Sequence, residues 1–246
     1  MRSNIFKEVK FSIYVFAGLL FVLMLFYLVA TMFISMGYKG YEKSKNAISG
    51  GYNGTTVIID PGHGGVDAGA SANGLFEKDL NLEISVTLSE YLKIFGYDFA
   101  LTRTEDVMMY DPNIEESRKR QDLSYRVKFA SGFQDSCFVS IHMNKFPLET
   151  CKGIQVFYSD KNEYGKTFAQ TLRENVILLQ SDNDRKIKNG TDNIYLLEEL
   201  EMPAVLIECG FLSNYSEANL LKNDDYKKAL SLTIYCGIAD FLERKQ

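Results

Sequence analysis

The sequence predicts an α/β domain, a mostly parallel or mixed central sheet with helices on both faces, preceded by one N-terminal transmembrane helix. Two observations predict it. From residue 55 onward, short β-branched or apolar runs alternate with stretches of helical period, the pattern of crossover units. Upstream, residues 11–36 carry no charged side chain, and at ~1.5 Å per residue they exceed the ~30 Å hydrocarbon core of a bilayer.

The elements follow in order. Arg2, Lys7 and Lys10 precede the apolar run and place the N-terminus (1–36 with the span) in the cytoplasm by the positive-inside rule. Lys39, Lys43 and Lys45 follow it and weaken that bias. A cleaved signal peptide is the rival reading, but its apolar region is normally about 7–15 residues. Either way the domain lies on the extracytoplasmic side. Residues 37–54 are rich in Gly, Lys, Asn and Ser and read as a flexible tether. The globular domain is expected over 55–246.

Within it, TVIID (56–60) is a strand stopped by Pro61-Gly62. Leu80, Ile84, Leu88 and Leu92 form an i/i+4 stripe that predicts a helix from Glu77 to Phe95, with Gly96 at its C-cap. YDFALTR (97–103), CFVSI (137–141), GIQVFYS (153–159) and AVLIE (204–208) are further strands. SYRVKFA (124–130) reads as helix. Tyr164, Phe168, Leu172 and Val176 mark another, and Tyr226, Leu230, Ile234, Ile238 and Phe241 the last. Asn214 is expected to cap the final helices, with Glu217 three residues on.

Charge narrows the function. The net charge of −5 is uneven: residues 1–50 hold six Lys/Arg against two Asp/Glu, and the remainder is acidic. An acidic domain argues against nucleic acid, which is held by basic side chains. The four cysteines, Cys137, Cys151, Cys209 and Cys236, form no C-x-x-C pair. They read as free thiols rather than a metal site.

Three strands end directly in a polar residue: VIIDPGHGG presents His63, FVSIHMN presents His142, and AVLIECGF presents Glu208. In α/β sheets, sites gather at the carboxyl ends of strands. The chain has two histidines, and both occupy such positions. Neutral imidazole is a common metal ligand, and a catalytic zinc usually takes three protein ligands and leaves one position open. Glu77 opens the helix after the Gly-rich turn and can supply the third ligand; a plain first-turn helix acid is an equally good reading of it. GHGG fits neither a dinucleotide nor a phosphate-loop motif. Asp60 is a candidate to orient a ligand imidazole or to cap the strand end. Asn144 is a candidate to orient substrate, or a turn residue.

Together, DPGHGGVDAGA, the spacing to Glu77, SIHMN and PAVLIECGFLSN resemble the zinc-dependent N-acetylmuramoyl-L-alanine amidases of bacterial cell walls, over about residues 55–242. The resemblance implies one Zn2+ held by His63, Glu77 and His142, with Glu208 as the catalytic carboxylate. It implies a peptidoglycan substrate, cut between N-acetylmuramic acid and L-alanine. Two positions depart from the family pattern: Met143, where a small residue is common, and Glu198, where a basic residue often stands. The short tether, with an r.m.s. reach of only ~20–25 Å, keeps the domain near its membrane. That layout resembles the subgroup that trims the spore cortex during sporulation, and a regulatory or accessory protein is a further expected partner. The rivals are a vegetative wall amidase, a glycosidase with paired carboxylates, a zinc peptidase acting within the stem, and a non-catalytic wall-binding module.

Overall fold

A computed structural model describes residues 54–245 and Met24. The chain divides into two units, residues 1–50 and 51–246. The expected membrane segment, 11–36, apart from Met24, and nearly all of the tether lie outside the described residues. Among the described residues no helix is long and apolar enough to cross a membrane.

The elements run β1 (Thr56–Pro61), β2 (Ser71–Ala72), β3 (Leu75–Phe76), α1 (Glu77–Ile94), β4 (Phe99–Leu101), α2 (Arg118–Ser131), β5 (Ser136–Asn144), β6 (Gln155–Tyr158), α3 (Gly165–Leu179), β7 (Lys188–Asn189), α4 (Tyr195–Glu199), β8 (Ala204–Phe211), α5 (Tyr215–Leu221) and α6 (Asp224–Lys245). Six strands form one sheet in the order β4-β1-β5-β8-β6-β7, and β2 pairs with β3 in a small hairpin. β4, β1, β5 and β8 run parallel. β6 is antiparallel to β8, so the sheet is mixed.

The pleat sorts the core into two layers. Val57, Ile59, Val139, Ile141, Val205 and Ile207 face α1, α3 and α6, the larger apolar cluster. Ile58, Phe138, Ala204 and Leu206 face α2 and α4, the smaller one. Helices therefore cover both faces. The α1 stripe is fully realised: Leu80, Ile84, Leu88 and Leu92 are all buried. Gly96 follows at φ 79°, and its N–H returns to Lys93 O, closing the helix.

The sequence misses or blurs several elements. The strand expected over 97–103 shrinks to Phe99–Leu101, because β4 is an edge strand with one partner and its last residues turn to the β1 loop. The last helix, marked in the sequence by the stripe from Tyr226 to Phe241, spans Asp224–Lys245. Asn214 caps α5 as expected, accepting from Glu217 N at 3.1 Å. The Glu217 carboxylate does not return to the cap; it accepts from Phe211 N and Gly153 N instead.

Candidate metal centre

The even-numbered residues of β5 and β8 face the thin α2/α4 layer, and this places His142 and Glu208 on one side of the sheet. They are register partners on adjacent strands. His63 comes from the turn after β1, the strand on the other side of β5. Its backbone sits at φ 60°, a left-handed conformation that costs a non-glycine residue on the order of 1–3 kcal/mol.

Side chains hold that turn through its carbonyls. Arg126 donates to Pro61 O at 2.8 Å and His63 O at 2.7 Å. Arg103 donates to Pro61 O at 2.9 Å and Gly62 O at 3.1 Å. Asn81, on α1, donates to Gly62 O at 3.0 Å. Residue 62 must be glycine, because a Cβ there would lie 2.3 Å from His142 Cε1 and Nε2.

Glu77 is 3% exposed and is gripped from several sides. Oε2 accepts from Ala70 N at 2.6 Å, and Oε1 accepts from Met143 N at 3.0 Å. Oε1 also lies 2.9 Å from His142 Nδ1 and 3.3 Å from His63 Nε2. Burial alone would raise its pKa, but hydrogen bonds from the two imidazoles and their charge hold it far below the usual carboxylate range. The histidine rings meet edge to face at 5.0 Å. One ligand atom each from His63, Glu77 and His142 lies within 4.8 Å of the others. Two imidazole nitrogens and one carboxylate oxygen match the donor set of a catalytic zinc with one open position.

Glu208 sits beside this trio. Burial, reinforced by the Glu77 charge, pushes its pKa up to about 7 against the opposing pull of the two histidines. Its Oε2 is buried without a hydrogen-bond partner. A carboxylate with that pKa and a free oxygen is suited to exchanging protons near neutrality.

Two expectations need correction or completion. Asp60 does not meet a ligand imidazole. It is fully buried, accepts from Thr102 Oγ1 and Ser140 Oγ at 2.6 Å each, and pairs with Arg126 at 2.7 Å. Groups from after β4, from β5 and from α2 consume its lone pairs. Asp67 takes the imidazole role: its Oδ2 lies 2.8 Å from His63 Nδ1, which leaves Nε2 to face Glu77. Asn144 ends β5, where its carbonyl accepts from Leu212 N at 2.8 Å. Met143 is buried in the α1/α3/α6 core and reaches the site through its backbone N–H alone. Glu198 is exposed on α4.

Sequence reasoning passed over Asp67, Arg103 and Arg126. Asp67 alone had a local signal, four residues after His63 in the same turn. Asp67→Ala should weaken metal affinity about 10–100-fold, measured by competition with a chromophoric chelator.

A cavity of about 200 Å³ adjoins the trio and is lined by His63, His142, Asp67, Lys119, Arg126 and Asn193 among others. Against this geometry stand the comparisons. The family described as N-acetylmuramoyl-L-alanine amidase matches residues 57–240. The chain belongs to this amidase family. As an N-acetylmuramoyl-L-alanine amidase it is a hydrolase of cell-wall peptidoglycan. It is 34% identical over 195 residues to the germination-specific N-acetylmuramoyl-L-alanine amidase of Bacillus subtilis, covering 78% of this chain and 82% of that one. It is 30% identical to the amidase LytC of Bacillus subtilis, covering 81% of this chain but 38% of LytC. Among solved structures, the CwlD amidase from Clostridioides difficile, in complex with the GerS lipoprotein, matches with a TM-score of 0.74 and 35% identity, covering 77% of this chain and 99% of that one. This amidase thus spans most of the germination-specific relative and of the Clostridioides difficile amidase, and only the minor part of LytC.

Proposed function

We propose that this amidase is zinc-dependent, that it strips stem peptides from peptidoglycan as the spore cortex matures, and that residues 11–36 anchor it in a membrane. The observation that carries the chemistry is the convergence of His63, Glu77 and His142 beside an unpartnered Glu208 oxygen. Zinc held by the three would supply Lewis acidity toward the scissile carbonyl and acidify water. Glu208 would take the proton of the attacking water and pass it to the departing alanine nitrogen. Asp67 would keep His63 in the tautomer that presents Nε2, and Asn144, at the end of β5, would orient substrate.

Length-wise similarity to the germination-specific relative supports the sporulation role. The GerS complex of the Clostridioides difficile amidase supports an accessory protein as partner.

Mass spectrometry of digested peptidoglycan tests the reaction. Free stem peptides beginning with alanine are expected, whereas new reducing sugars would point to a glycosidase. Deleting the gene should leave vegetative growth normal while spores lack muramic-δ-lactam. Chained vegetative cells with normal cortex would favour the vegetative reading. Fractionation of cells carrying a C-terminal tag should find the protein in membranes. A soluble protein beginning near Gly37 would show a cleaved signal peptide.

A further inference from the structure

The cavity beside the histidines holds a cation that the hydrolytic chemistry does not use. Lys119 lines it, and among the described residues Lys119 forms no ion pair and no side-chain hydrogen bond, although its charge bears on the Asp67 carboxylate. Its two neighbours are committed elsewhere: Arg118 stacks over Tyr110 at 4.8 Å and Arg120 over Tyr195 at 4.2 Å. The carboxylates on the cavity wall are committed too. Asp67 is engaged with His63, and Asp122 with Arg126 at 2.8 Å. The side-chain amide of Asn193, which also lines the cavity, has no partner among the described residues.

Three consecutive cations at the start of α2 oppose the helix dipole, which favours anions there. Stacking on Tyr110 and Tyr195 compensates Arg118 and Arg120, but nothing comparable holds Lys119, and a local rule broken in this way is expected where function requires it. The domain as a whole is acidic, so an anionic substrate would be repelled unless a local cation drew it in.

Resting on the amidase reading of this site, we propose that Lys119 and Asn193 form a subsite for a free carboxylate of the departing stem peptide. An ammonium offers three donors and no acceptor, and the amide of Asn193 adds a further donor. The enzyme then discriminates between stems that carry a carboxylate just beyond the L-alanine and stems in which that group is a carboxamide.

Synthetic muramyl peptides that differ only in this group, offered to the full-length zinc-loaded protein, test the subsite. The wild type should favour the carboxylate by roughly tenfold in kcat/KM, about the worth of one charge-assisted hydrogen bond. Lys119→Met should bring the ratio of the two kcat/KM values toward one, through a higher KM for the carboxylate form, and Lys119→Arg should restore it. A wild type indifferent to the two substrates, or a Lys119→Met variant that slows both equally, would overturn the subsite. If the wild type frees an alanine-ended peptide from neither substrate, the amidase reading falls and the subsite falls with it.

Discussion

His142→Ala is expected to lose bound zinc and hydrolytic activity together, whereas Glu208→Gln is expected to keep its zinc and lose activity. The two residues are register partners on β5 and β8, yet their surroundings differ. His142 Nδ1 lies 2.9 Å from Glu77 Oε1 and within the cluster of candidate ligand atoms. Glu208 stands outside that cluster, with Oε2 unpartnered. Removing a general base typically costs about 10²–10⁴ in rate, and Glu208→Gln should fall in that range with its metal content intact. Metal analysis beside an activity assay makes the comparison. A Glu208→Gln protein without zinc would move Glu208 into the ligand set.

Arg126→Leu is expected to destabilise the domain by ~3–5 kcal/mol, the usual cost of leaving one member of a buried ion pair without its partner. Asp60 is 0% exposed and Arg126 3% exposed. The same substitution strips donors from the carbonyls of Pro61 and His63. Urea unfolding of the two proteins measures the difference. Its pH dependence has a defined sign. Burial would raise the pKa of Asp60, but Arg126, Ser140 and Thr102 together bring it below its ordinary 3.8. The pair's contribution is therefore full above that value and is lost as pH falls through the lowered folded pKa. The destabilisation by Arg126→Leu should accordingly be largest near neutrality and shrink in strong acid.

Much of this was legible in the sequence, for physical reasons. The i/i+4 stripe of α1 is long and uninterrupted, and Gly96 supplies the left-handed residue that ends it. β1, β5 and β8 are apolar runs buried on both faces, so each strand end was marked where His63, His142 or Glu208 appears. Short elements such as β2, β3, β7 and α4 had no period to betray them; tertiary contacts define them. Residue spacing alone left Glu77 undecided between ligand and helix acid. The resemblance suggested its role, and the structure brings its oxygen to both imidazoles. Asp60 was misassigned because its partners, Thr102, Ser140 and Arg126, lie 42, 80 and 66 residues away. No local pattern reports such a convergence.

The grip of Arg103, Arg126 and Asn81 on the carbonyls of residues 61–63 uses protein donors throughout. The strained turn that carries His63 is therefore held by donors of the polypeptide itself. Under the proposed zinc dependence, folding and metal loading are expected to be separable. If the site holds zinc as proposed, a chelator should silence the enzyme reversibly rather than denature it, so that metal supply acts on activity and not on the fold.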